Sequence, residues 1–327
     1  MMNLPAKEVF FNKMNLLYEK KTPFFFIVDF LCNKTEIIPL DETTEKNIFF
    51  TTPKKTNISE EIKTKKKLEW EKYPISKSEY EKQFEQVKTA IQAGDTYLLN
   101  LTCTTPVRTN YSLKELFSQG NAKYKLYYKD IFIHFSPEPF IQISKEKIFS
   151  YPMKGTIDGA LEDAEKNILS SEKELREQFT IVDLIRNDLS IVASNVRVDD
   201  FRYLEKITTN QKELLSVSSK ISGNIRAGFL NSPGNIFAKL LPAGSISGAP
   251  KVKTLEIIAQ TETHERNYYT GVWGIFDGAE IDSCVIIRYI ENTENGMVFK
   301  SGGGITSLSD LNTEYQEMID KIYVPIY

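Results

Sequence analysis

Only two histidines, His134 and His264, occur among the 327 residues. Counting alone therefore excludes a His-rich metal site or a multi-histidine mechanism. Three cysteines, Cys32, Cys103 and Cys284, cannot all pair and show no metal-like spacing. Neither a disulfide framework nor a zinc site is expected, and a reducing cytoplasm is the expected location. No apolar run approaches the roughly 20 residues that cross a bilayer. The stretch PFFFIVDFL is broken by Asp29. The first residues lack the basic, apolar, small order of a secretory signal. A basic excess is also missing: the net charge is −3 and the pI about 5.7. A nucleic-acid partner is not expected from that balance. Arginine is scarce, with eight among the 41 basic residues. Each one is thus a stronger candidate for bidentate carboxylate recognition than a surface lysine is.

The rest of the composition is that of a folded globule, 41% hydrophobic and 26% charged, which excludes a disordered or collagen-like chain. The lysine-rich stretch 51–78 reads as a solvated loop. A short strand-and-helix segment together with this loop, 1–77, precedes a main domain, 78–327. Tyr80, Phe84, Val87 and Ile91 recur at helical spacing, with Gly94 as the stop. TYLLNLTCTTPV and IFIHFSPEPFIQIS read as strands, and MVFKSGGGI as a strand that ends in three glycines. YYTGVWGIFDGAEIDSCVIIRYIE reads as a hairpin turning at Asp277-Gly278. SSEKELREQFTIVDLIRNDLSIVA and SDLNTEYQEMIDKI read as helices. Strands in antiparallel groups with helices between them predict an α+β fold of large antiparallel sheets.

Several constellations could carry chemistry. Gly302, Gly303 and Gly304 could form a nest of backbone N–H groups for an anion, or simply a tight turn. Arg288 follows an apolar strand, so a buried guanidinium would need an anionic partner, either a ligand or a structural carboxylate. Glu177, Asp183 and Asp188 on one helix, and Glu314 and Glu317 on another, could hold Mg2+ or face solvent. Lys154, in YPMKGT, is either a nucleophile in a partly desolvated pocket or an exposed turn residue. GSISGAPK has the wrong spacing for a phosphate loop, though it could present a helix N-terminus to an anion.

In order, SPEPF, PMKGT, EQFTIVDLIRNDL, AGSISGAPK, YYTGVWG, IIR, GGGI and EYQE resemble the successive motifs of the chorismate-utilising enzymes. The resemblance runs from about Ser78 to Lys321. It implies a layered sandwich of large antiparallel sheets, with flanking helices and a site between the layers. Lysine in PMKGT resembles the branch that forms aminodeoxychorismate, where anthranilate-forming members usually carry alanine. Leu98 stands where water-using members carry a lysine, which disfavours isochorismate and salicylate formation. By resemblance, Glu138 is the general acid/base and Lys154 the covalent nucleophile. Gly155, Thr156, Tyr269, Arg288 and Gly302 to Gly304 bind substrate, and Glu177 and Glu317 bind Mg2+. Ammonia would come from a separate glutamine amidotransferase subunit. A histidine frequent in relatives is replaced near Ser216. An anthranilate-forming enzyme and a non-catalytic chorismate binder are the competing readings.

Overall fold

The computed structural model describes residues 6–59, 64, 66–208 and 213–326. Among these, strands form two antiparallel sheets, one of nine strands and one of eight. The nine-stranded sheet runs from Thr35–Pro39 through Phe24–Val28, Val272–Phe276, Glu280–Val285, Pro139–Ser144 and Lys147–Ser150 to Glu213–Ile225. Glu213–Ile225 pairs on with Met153–Asp158 and Ala193–Thr208. The eight-stranded sheet is built on Leu98–Thr109, Gly296–Ile305, Tyr289–Thr293, Phe132–Ser136, Tyr124–Tyr128 and Ile48–Thr51. Residues from the segment before 78 thus add strands to both sheets. No described helix is long and apolar enough to cross a membrane.

The strand Phe24–Val28 shows why its aromatic run is needed. All five residues are buried. Successive side chains point to opposite faces. Phe24, Phe26 and Val28 enter the larger core, whereas Phe25 and Ile27 enter a second one around Trp273, Phe50 and Tyr289. Each such side chain contributes about 1.5–3 kcal/mol by leaving water.

The helices follow their local signals. In Lys77–Gln92, Ser76 and Glu79 form a reciprocal capping box, and Tyr80, Phe84, Val87 and Ile91 make the buried stripe. Gly94 ends it at φ +81°. The helix Glu172–Val192 is capped by Ser171 and buries Gln178, Ile181, Val182, Ile185, Leu189 and Val192. Its first turns are left free to line a cleft. The stretch 233–261 contains three helical pieces. They are Pro233–Leu240, a single turn Gly244–Ser247, and Lys251–Thr261. Pro233 at the first helical position fits the first of these.

Candidate active site

The chain passes from the eight-stranded to the nine-stranded sheet at Pro137-Glu138, and back at Ile286–Arg288. These two joints are neighbours: the Phe135 N–H donates to the Arg288 carbonyl at 3.2 Å. Glu138 and Arg288 therefore meet in one cleft of about 1110 Å³. Lys154, Gly155, Tyr269, Gly302, Gly303, Gly304, Glu177 and Glu317 line it as well. Thr156 pairs through its backbone with Ser216, and its side chain lies outside the described ones.

Glu138 is fixed by its turn. Its N–H donates to Ser136 Oγ at 3.1 Å, and its carbonyl accepts from the Val285 N–H at 3.2 Å. Burial pushes its carboxyl above the usual range. A hydrogen bond with Ser245 and the charges of Lys154, Arg288 and Lys321 pull it back only in part. A carboxyl that burial makes more reluctant to ionise is better suited to donate a proton than an exposed one is.

Lys154 is aimed by a bulge. The pairing of Met153–Asp158 with Glu213–Ile225 skips a residue between Lys154 and Thr156, where Gly155 sits at φ +78°. The Gly155 carbonyl accepts from Ser216 Oγ at 2.9 Å. A side chain at Gly155 would collide with Glu174, since a Cβ would lie 2.4 Å from its Oε2. Lys154 Nζ lies 3.9 Å from Glu177 Oε2, and Lys173 Nζ lies 3.8 Å from the other oxygen of Glu177.

The three glycines do not make a nest. None has a positive φ, and all lie within the strand Gly296–Ile305, paired with Thr102, Leu101 and Asn100. The Thr102 N–H donates to Glu262, and the Gly302 carbonyl accepts from Lys321 Nζ at 2.9 Å. This makes Gly302 a non-hydrogen-bonded partner of Thr102. By alternation, the N–H groups of Gly302 and Gly304 face away from the paired strand. Pairing with Tyr289–Thr293 has ended at Lys300, so that edge is open. A Cβ at Gly304 would sit 3.5 Å from Lys154 Nζ and 3.1 Å from Leu98. The missing side chains leave the floor of the cleft clear.

Acidic groups enter from two helices. Glu174 and Glu177 come from Glu172–Val192, and Glu314 and Glu317 from Leu311–Asp320. Burial, then repulsion from Glu177, raises the pKa of Glu174, whose Oε2 is buried without a partner. Burial also raises that of Glu314, and Glu317 adds to the rise. Burial opposes ionisation of Glu317, but Lys321 at 2.7 Å, with Lys154 and Lys173, brings its net shift downward. Among the described residues no three His, Cys, Asp or Glu side chains close into a metal cage. The donor set is instead oxygen-only and open, with an unpartnered carboxylate oxygen beside it. That pattern fits an ion such as Mg2+, which binds through one or two carboxylates and keeps other positions for water or substrate.

Two acidic candidates lie elsewhere. Asp183 makes an exposed pair with Arg186 at 3.2 Å, and Asp188 pairs with Lys251 at 3.3 Å. Asp183 falls off the stripe that faces the cleft, whereas Asp188 lies on that stripe three turns beyond Glu177, where Lys251 takes its carboxylate. Lys251 also donates to the Leu240 carbonyl, so the lysine of GSISGAPK braces the fold. Sequence reading passed over Glu174, Lys321, Tyr323 and Ser245, all on the cleft wall. Helical spacing held the clue for two of them: Glu174 precedes Glu177 by three, and Lys321 follows Glu317 by four. Ser245 lies within GSISGAPK, which was singled out without its serine, and nothing local in the sequence marks Tyr323.

The chain matches the protein-family model of chorismate binding enzymes over residues 15–326. It is 48% identical to an uncharacterised PabA-like protein of Pasteurella multocida (strain Pm70), covering 97% of this chain and 98% of that one. It is 30% identical to aminodeoxychorismate synthase component 1 of Klebsiella aerogenes, over 76% of this chain and 57% of that protein. It is also 30% identical to anthranilate synthase component 1 of Acetivibrio thermocellus, over 76% and 52%. In fold, it superposes on the menaquinone-specific isochorismate synthase of Escherichia coli with a TM-score of 0.71 at 15% identity, covering 98% and 81% of the two chains.

Proposed function

Since the chain belongs to the chorismate-binding enzyme family, we propose that it is an aminodeoxychorismate synthase component I. It would convert chorismate and ammonia to 4-amino-4-deoxychorismate on the route to folate. The observation that carries this reading is Lys154. The Gly155 bulge holds its ammonium in the cleft that Glu138, Glu177 and Arg288 line. A cytoplasmic setting belongs to the same reading, supported by three free, buried cysteines.

The substrate has two carboxylates and one hydroxyl to lose. Arg288 and the outward N–H groups of Gly302 and Gly304 would bind carboxylate. Tyr269, buried against Tyr289, would form an apolar wall for the ring. Glu138 would give its proton to the C4 hydroxyl, which leaves as water. Lys154 Nζ, as the free amine, would form a bond to C2 while the ring double bonds shift. Ammonia would then bond to C4, the double bonds would shift back, and the lysine would leave. The excess proton on nitrogen returns to the Glu138 carboxylate. Mg2+ would be held by Glu177 and Glu317, and when bound it supplies charge that steadies the ring carboxylate as an electron sink.

Intact-mass spectrometry after incubation with chorismate and Mg2+, without ammonia, tests the reading. The expected result is a mass gain of chorismate less water on the peptide carrying Lys154. Lys154→Ala and Lys154→Arg should both lose turnover beyond rescue by substrate, since a guanidinium cannot be deprotonated to attack. No adduct, together with a fully active Lys154→Ala, would leave the lysine a bystander. Anthranilate as the product would move the chain to the other branch represented among its relatives.

A further inference from the structure

Arg288 and Arg266 are both enclosed, and they are treated differently. Arg266 is 4% exposed and pairs with Glu262 at 2.7 Å. Its guanidinium also donates to the carbonyls of Asn100 and Ile246. Arg288 has no carboxylate partner among the described residues. Its Nε is buried and makes no hydrogen bond. Its backbone sits at φ +51°, a conformation uncommon for a residue with a side chain. Such an outlier persists where surrounding structure imposes it.

What lies against Arg288 is Tyr323. The guanidinium carbon is 5.3 Å from the centre of the Tyr323 ring. The chain that carries the ring is itself fixed. The neighbouring Val324 and Ile326 are buried in the main core. Ile326 bridges to Gly120, and the Pro325 carbonyl accepts from the Asn121 N–H at 2.8 Å. Tyr323 also lines the cleft.

We propose that Tyr323 is a positioning residue that holds the Arg288 guanidinium by its face, so that the remaining N–H edge receives a carboxylate of the substrate. This rests on reading the cleft as a carboxylate site. The choice of side chain has a physical reason. A glutamate there would neutralise the guanidinium and occupy its fork, as Glu262 does with Arg266. A phenol holds the cation through its ring face and leaves the charge available. The Arg288 charge in turn draws the Tyr323 hydroxyl below the usual tyrosine range, against the opposing effect of burial.

The test combines kinetics with a direct view of the arginine. Tyr323→Leu should raise KM, and Kd for chorismate by calorimetry, about tenfold while kcat stays within about threefold. Tyr323→Phe keeps the ring face and should cost less than Tyr323→Leu. In an Arg288→Ala background, Tyr323→Leu should add nothing, because the tyrosine acts through the arginine. Additive losses, or a fall in kcat at unchanged KM, would overturn the proposal. The second readout needs no activity. With eight arginines in the chain, the Arg288 Nε–H signal can be assigned in 15N-arginine NMR spectra by its loss in Arg288→Ala. Tyr323→Leu should shift or broaden that signal, and an unchanged signal refutes positioning. A wild type that binds no chorismate, but whose Arg288 signal moves in Tyr323→Leu, would sink the carboxylate reading alone.

Discussion

A carboxyl that donates a proton must first bind it, and Glu138 binds its proton more tightly than an exposed carboxyl does. Burial lifts its pKa ahead of the opposing pull from Ser245, Lys154, Arg288 and Lys321. Glu138→Gln should lose about 100- to 10,000-fold in turnover, with chorismate affinity kept. Weakened binding at unchanged kcat would make it a binding group instead. The same shift affects stability. Folded Glu138 holds its proton more tightly than the unfolded chain does, so its contribution is full below the unfolded carboxyl pKa, about 4.3. That contribution is lost as pH rises through the raised folded value. Glutamine stays neutral throughout. Glu138→Gln should therefore gain stability relative to wild type as pH climbs from about 4 to 8, read as urea midpoints. Parallel curves would contradict the shift. At this scale SPEPF, PMKGT and IIR were legible as words, but the forces on their side chains were not. The Glu138 partners Ser245 and Lys321 arrive from distant parts of the chain.

Elements explain why some motifs read correctly and one did not. The helix over Tyr80, Phe84, Val87 and Ile91 was legible because its stripe and stop are local. Gly302 to Gly304 were not, because whether glycines turn or extend depends on the strand they meet, here Leu98–Thr109. Gly155 shows the opposite case, a glycine with a fixed shape. Gly155→Ala must place a Cβ at φ +78° and 2.4 Å from Glu174 Oε2. The left-handed backbone alone costs about 1–2 kcal/mol. Displacing the adjacent Lys154 should cost activity on the order of 100-fold. Gly94→Ala is the matched control: φ is +81°, yet nothing lies within 4 Å of its Cβ. It should lose similar stability and keep its activity. If both variants keep activity, the bulge does not aim the lysine.

On the scale of the whole molecule, two sheets joined at adjacent crossings place Glu138 and Arg288 together, and the flanking helices close the cleft with carboxylates. The α+β class was legible from antiparallel strand groups, whereas the pairing of Phe24–Val28 with Val272–Phe276 was not, since nothing local encodes so long a separation. Calorimetry should detect Mg2+ binding to the wild type and lose it in Glu317→Ala, and a chelator should abolish turnover. Full activity in chelator would remove the metal from the reaction. The nitrogen source follows from what the cysteines can do. A cysteine that releases ammonia from glutamine must act as an activated thiolate, and thiolates form where cations or helix N-termini lower the pKa. Here all three cysteines are buried and shifted the other way. Burial pushes Cys32 up to about 11 and Cys103 up to about 12, and it drives Cys284 well above its ordinary value. Neither histidine is placed to help. His134 meets the Trp273 indole, and His264 lies 3.1 Å from Thr102 Oγ1. The isolated chain should therefore use ammonium, with a rate that climbs as alkaline pH frees NH3, and should ignore glutamine. Adding a compatible glutamine amidotransferase subunit should make glutamine a substrate at neutral pH. Glutaminase activity from the chain alone, measured as glutamate release, would show that the chain makes its own ammonia and that no partner is needed.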